Sequence, residues 1–191
     1  MRILQIDLSR QTWTVGALHE EWLGGRQLTA QLVTELVDPG CDPLGPANCL
    51  VLATGALAGW SVSCAGRLSI GGKSPLTGGI KESNAGGNAA DALAGLDLRA
   101  VVVTGQLPAD EPGMLVIEAD QVRFLPATSY WGLELEETAA RLGAEFGADY
   151  ALVAIGPAGE SQYPAGAIGV SDVRGAPFRF AARGGLAAVM G

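Results

Sequence analysis

Two clusters of arginine beside glycine carry the residue types that bind anions. The first is "GRLSIGGKSPLTGGIKESNAGG", residues 66–87, with seven glycines in 22 residues, where average usage of about 7% predicts about one or two. Arg67 offers a bidentate guanidinium to a phosphate, and Asn84 offers a side-chain oxygen to a hard cation such as magnesium. Ser83-Asn84, followed by Gly86-Gly87 and an alanine-rich run, predicts a helix start whose backbone amides point at an anion. The second cluster is "RFAARGG", residues 179–185, in which Arg179 and Arg183 flank Phe180, Ala181 and Ala182 just before Gly184-Gly185. A ligand with two phosphate arms fits such a pair.

The phosphate loop of a nucleotide hydrolase is excluded. That loop requires G-x-x-x-x-G-K-S/T opening into a helix. Here five residues separate Gly66 from Gly72, and Lys73-Ser74 runs into Pro75, Leu76, Thr77, Gly78 and Gly79, where no helix can begin.

The elements that must position these clusters occur twice. "MRILQIDLSRQTWTVGALHEEWLGGRQLTAQLVTELV" leads to "NCLVLATGALAGWS", and "MLVIEADQVRFLPATSYWGLELEETAARLGAEFG" leads to "DYALVAIGPAGES". Each part predicts strand, turn, strand, a tryptophan with glycine just after it (Trp22, Trp131), a helix and an apolar strand. Apolar residues recur at helical spacing over Gln27 to Val37 and over Leu133 to Phe146. The first part then continues through a helix into a strand from Leu98 to Thr104. The second has the matching "AARGGLAAVMG" but no counterpart of that strand, and an open strand position leaves backbone groups that proteins normally cover. The expected fold is therefore α+β and internally duplicated, with two related halves, about 1–105 and 112–191, built from mixed or antiparallel sheets with packed helices. Asp110 to Met114 form a polar connector.

Composition narrows the function classes. With 191 residues, 48% apolar and 17% charged, the chain can bury a substantial core. A net charge of -8 argues against a nucleic-acid partner, which needs a basic face. No apolar run reaches membrane length, and "MRILQIDLS" is strand-like rather than a leader. Cys41, Cys49 and Cys64 are odd in number and lack C-x-x-C spacing, which points to a reducing compartment, the cytoplasm.

"WLGGRQLTAQLV", "DPLGPANCLVLATGALAG", "GRLSIGGKSPLTGGIKESNAGG", "IGPAGE" and "ARGGLAAVMG" resemble, in order and spacing, the N-terminal domain of the tungsten-containing aldehyde ferredoxin oxidoreductase family. The resemblance covers nearly the whole chain. It implies a base of two related sheet halves on which a tungsten, or molybdenum, bis-pyranopterin cofactor lies, with magnesium bridging the two phosphates. By motif it assigns cofactor contacts to Arg67, Asn84 and Gly86, and to Arg179, Phe180, Ala182 and Arg183. Magnesium falls to Asn84 and to the backbone carbonyl of Phe180. Phe180 stands where the family commonly has alanine, and Ala182 where it usually has glycine, so a positive φ at 182 would cost stability.

The resemblance also implies further helical, cysteine-rich domains that hold a 4Fe-4S cluster and the acid–base residues beside the metal, with ferredoxin as electron acceptor. No catalytic residue is assigned within this chain. His19, Asp42, Glu82 and Glu160 are expected to be solvated, as are Lys73 and Lys81. Cys64 is expected to be small and buried, and Trp22 and Trp131 to anchor the hairpins. The function implied is the cofactor platform of an aldehyde-to-acid oxidoreductase, active only with a partner carrying the remaining domains. A stand-alone metal-pterin carrier and a ligand-free structural remnant are the alternatives.

Overall fold

A computed structural model describes residues 1–18, 23–147, 149–172 and 175–191. In chain order the elements are β1 (Arg2–Asp7), β2 (Thr12–Ala17), α1 (Gly25–Leu36), β3 (Cys49–Thr54), β4 (Leu68–Lys73), β5 (Ile80–Ala85), α2 (Ala89–Gly95) and β6 (Leu98–Thr104). They continue with β7 (Gly113–Ile117), β8 (Val122–Pro126), α3 (Leu135–Phe146), β9 (Val153–Ile155), α4 (Pro157–Glu160), β10 (Ile168–Asp172), β11 (Gly175–Ala181) and α5 (Leu186–Met190). The fold is α+β. His19 and Trp22 lie outside the described residues.

Sequence periodicity explains the central sheet, whose order is β2-β1-β6-β3-β4-β5. All its pairings are antiparallel except β1 with β6. β6 is central, and its Ala100, Val101 and Val102 are buried, so both faces are covered. Val101 points into one core cluster while Ala100 and Val102 join another. The latter is closed by α1, whose Leu28, Leu32 and Val33 form a buried stripe. Gly71 permits the close approach of helix to sheet: a Cβ there would stand 2.8 Å from Thr29 Cβ.

The C-terminal part contains a hairpin, β7-β8, and a three-stranded antiparallel sheet, β11-β10-β9. Leu115, Ile117, Val153, Ile168 and Val170 from this part share one apolar core with Leu4, Ile6, Leu68 and Ile70 from the first sheet. Ladder registers in the two parts coincide. Ser69 lies opposite Ala53 and Asn84, and Gly169 lies opposite Ala154 and Phe180. Ile70 lies opposite Leu52 and Ser83, as Val170 lies opposite Val153 and Arg179.

Some local expectations change. Ser83 and Asn84 sit on β5, and the helix begins only at Ala89. The strand wins because Ile80–Ala85 pairs along its whole length with β4 across a tight 74–79 turn. Trp131 is 44% exposed and does not anchor its hairpin in the core. Among the described residues no helix is long and apolar enough to cross a membrane.

Candidate functional site

The β4-β5 hairpin sets the first cluster. Alternation along β5 turns Ser83 and Ala85 into the core, leaving Glu82 and Asn84 on the other face. Arg67, just before β4, reaches across to Asn84: its Nε donates to Asn84 Oδ1 at 2.8 Å, and Nη2 donates to the same oxygen. Asn84 Nδ2 donates to Glu82 Oε1 at 3.3 Å, while Glu82 Oε2 accepts from Arg26 Nε at 3.0 Å. The carboxamide is thus held at both ends, with its oxygen on the guanidinium side. Arg67 itself is exposed.

Glu82 is not the solvated carboxylate expected. Its side chain is only 8% exposed, against 75% for Arg26. The signal for it lay in the strand period: once Asn84 is on a strand, the residue two before it must share its face. Arg26, on the first turn of α1, had no such signal.

The second cluster is assembled differently. Arg179, on β11, donates from Nε and Nη2 to Asp172 Oδ2 at 3.0 and 2.8 Å. Its Cγ lies 4.0 Å from where a Cβ on Gly86 would stand, so it brings the two clusters together. Phe180 is 52% exposed. Ala182 and Arg183 are exposed too, and Arg183 makes no hydrogen bond or ion pair among the described residues. Ala182 is not among the residues with positive φ, so alanine there carries no backbone strain.

β5 and β11 lie against each other, and the glycine-rich turn after each is pinned to the opposite part. Gly87 has φ 119°, and a Cβ there would meet the Ser171 carbonyl oxygen at 2.3 Å. Ser171 also accepts from the Asn88 amide at 2.9 Å and donates its hydroxyl to Asn88 Oδ1 at 2.6 Å. Reciprocally, Gly184 has φ 77° beneath the Lys81 side chain, and its carbonyl accepts from Ser74 Oγ at 2.7 Å. These two glycines therefore serve close packing, whereas Gly86 retains open space on one side.

Two other side chains depart from expectation. Lys73 is buried and donates from Nζ to the carbonyls of Pro39 and Cys41, because the β4 alternation turns it under the 39–41 turn. Cys64 is exposed, on a left-handed turn with φ 63°. Cys49 is the buried cysteine, and burial pushes its thiol up to about 12.

Comparison with known proteins bears on this arrangement. The chain is 37% identical over 195 aligned residues to the tungsten-containing aldehyde ferredoxin oxidoreductase of Pyrococcus furiosus, covering 100% of this chain and 31% of that protein. The Thermococcus kodakarensis protein of the same name gives the same identity and coverage. This chain thus spans about a third of the length of the curated relatives it matches. The active site complex BamBC of benzoyl coenzyme A reductase, solved with 1,5-dienoyl-CoA, superposes with a TM-score of 0.90 at 29% identity, over 100% of this chain and 29% of that one. The family described as aldehyde ferredoxin oxidoreductase, N-terminal domain, matches residues 3–191. The chain belongs to the aldehyde ferredoxin oxidoreductase N-terminal domain family.

Proposed function

We propose that this chain is the platform that binds and orients a tungsten, or molybdenum, bis-pyranopterin cofactor through its two phosphate arms, with magnesium between them. The observation that carries the reading is the coincidence of position: Asn84 and Phe180 share one ladder position on two strands in contact, each followed by a glycine-rich turn, with exposed Arg67 bonded to Asn84 and exposed Arg183 three residues from Phe180. The donor chemistry fits. A carboxamide oxygen and a main-chain carbonyl are hard ligands suited to magnesium. Arg67 and Arg183 are exposed cations suited to phosphate. The coincident registers also support two duplicated halves, about 1–105 and 112–191.

In this reading Arg67, which holds Asn84 Oδ1 through Nε and Nη2 in the ligand-free structure, turns to one phosphate and releases that oxygen to magnesium, and Arg183 serves the other arm. Arg179 is held by Asp172 and acts by filling the space over Gly86. The bound cofactor would supply two-electron redox chemistry that no side chain can. Polypeptide outside residues 1–191 would hold the 4Fe-4S cluster and pass electrons to ferredoxin. The three free thiols fit a reducing, cytoplasmic setting.

Aldehyde is the substrate class suggested by the names of the curated relatives. The likeness to a benzoyl coenzyme A reductase favours a second reading, in which the same platform serves a different reaction. Metal analysis of the chain isolated from its host separates these readings from the carrier and the empty scaffold. Tungsten or molybdenum with iron supports the platform. Either metal without iron supports a carrier, and neither overturns both. Aldehyde-dependent reduction of a viologen dye by the iron-containing complex then tests the substrate class.

A further inference from the structure

α1 and α3 are both 12 residues long, and each packs on the sheet that carries one of the two clusters, yet their N-termini differ. α3 has Glu136 and Glu137 in its first turn, carboxylates that offset the positive end of the helix dipole. α1 has no acidic residue in its first turn and no side-chain cap. The amides of Gly25, Arg26 and Gln27 therefore have no partner within the helix.

What lies beneath each helix start differs in the same sense. Gly169 of β10 holds the ladder place that Ser69 holds in β4. A Cβ on Gly169 would stand 2.6 Å from Cδ1 of Leu135, the first residue of α3, so an apolar side chain fills that place. The first residue of α1 is Gly25, and it leaves the place open. A Cβ there would stand 3.8 Å from Ser69 Oγ, the one atom of another element within 4 Å among the described residues.

Ser69 is only 7% exposed, and its hydroxyl makes no hydrogen bond among the described residues. No sealed side-chain polar atom there lacks a partner, so this oxygen is reached from outside. Gly24 fixes the helix start over it: with φ 124°, a Cβ on Gly24 would stand 2.4 Å from the Thr54 carbonyl oxygen. We infer that the first turn of α1 and the Ser69 hydroxyl form a seat for a phosphate monoester, which in the loaded protein is one of the two phosphate arms of the cofactor. The assignment to the cofactor rests on the platform reading, whereas the seat itself does not.

The surroundings favour a tetrahedral dianion. Ser69 stands opposite Asn84, and Arg67 precedes it by two residues. Two guanidinium groups, Arg26 and Arg67, face one carboxylate, Glu82, which is already held by Arg26 and Asn84. Helix amides, a hydroxyl and a guanidinium approach from different sides, which suits the three terminal oxygens of a phosphate better than the two of a carboxylate. The two arms are thus held unequally, one at a helix N-terminus and the other without one, because Leu135 and the α3 carboxylates close the equivalent place.

The test is titration of the 191-residue chain with inorganic phosphate at constant ionic strength, followed by its amide resonances. Saturable shifts are expected at Gly25, Arg26 and Gln27, with Leu135, Glu136 and Glu137 unmoved. Ser69→Ala should weaken this binding by about tenfold or more, the worth of a hydrogen bond to a charged group. The inference is overturned by the lack of a saturable shift at the α1 amides, by equal shifts at the α3 amides or with chloride, or by undiminished binding in Ser69→Ala. In protein isolated from its host, Ser69→Ala should also retain less tungsten or molybdenum. Unchanged metal retention beside lost phosphate affinity would mean that the seat takes free phosphate, and overturns its assignment to a cofactor arm. A native protein holding neither metal refutes the platform and not the seat, which the phosphate titration decides by itself.

Discussion

Asn84 on β5 and Phe180 on β11 occupy the same place in their ladders: each stands opposite a residue, Ser69 or Gly169, that itself stands opposite an alanine, Ala53 or Ala154. One of the two brings a side-chain oxygen to that place and the other only its main-chain carbonyl. Substitutions at equivalent positions should therefore have unequal consequences.

Asn84→Ala should strip magnesium from the loaded protein, whereas Phe180→Ala should retain it, because the ligand proposed at 180 is the main-chain carbonyl. Arg67→Ala should weaken cofactor retention by about ten- to a hundredfold, the worth of one charge-assisted hydrogen bond of about 1.5–3 kcal/mol. Stability should move by no more than about 0.5 kcal/mol, since Arg67 is exposed. Magnesium and tungsten per chain, measured alongside urea midpoints, give the comparison. Equal magnesium loss in the Asn84 and Phe180 variants would refute the assignment.

Glu82 acts on the site through Asn84, as a positioning residue. In Glu82→Ala the carboxamide loses its partner at Nδ2 and becomes free to turn, and Arg26 loses its ion pair. Magnesium retention should fall less than in Asn84→Ala, and stability by about 1 kcal/mol. Glu82→Gln keeps an acceptor for Asn84 Nδ2 and should restore most of the magnesium. A Gln variant as poor as the Ala variant would mean that charge, not orientation, is what Glu82 supplies.

Helical spacing placed α1 and α3 to within two residues of their observed N-terminal bounds, and the apolar run Leu98–Thr104 was a strand as its pattern required. Gly86-Gly87 resembles a helix start locally, so the sequence predicts one at Ser83-Asn84. The competing signal, a six-residue ladder with β4, is non-local and cannot be seen in "KESNAGG" alone. The same limit hid the roles of Gly87 and Gly184. Their partners, Ser171 and Lys81, are about 80 and 100 residues away in sequence, and nothing in a glycine pair tells ligand approach from chain approach. Glu82 was legible in principle from the strand period, but only once β5 was placed.

Gly87→Ala should be among the most destabilising single substitutions in the chain. It combines a φ of 119° with a Cβ placed 2.3 Å from the Ser171 carbonyl oxygen, which is backbone and cannot step aside. A loss above about 3 kcal/mol is expected, against about 1 kcal/mol or less for Gly79→Ala, where nothing lies within 4 Å. Urea unfolding of the two variants decides the matter, and similar midpoints would show that the two parts are not locked through this turn. Gly184→Ala should fall between them, since a flexible lysine is the obstacle there.

Cys49 gives the fold an alkaline limit. Burial raises its thiol from an ordinary 9.0 to about 12, so the folded state holds the proton more tightly than the unfolded chain. This contribution is fully present below about pH 9 and is lost as pH rises towards 12, with a slope of at most about 1.4 kcal/mol per pH unit. Burial acts in the same direction on Tyr150. Cys49→Ala should flatten the alkaline limb of stability against pH while lowering stability at neutral pH by the packing it removes. In the native chain a disulfide reagent at about pH 8 should label the exposed Cys64 rapidly and Cys49 only on unfolding. Labelling of Cys49 at the rate of Cys64 would mean that the β3 edge of the α1 core opens far more readily than its burial implies.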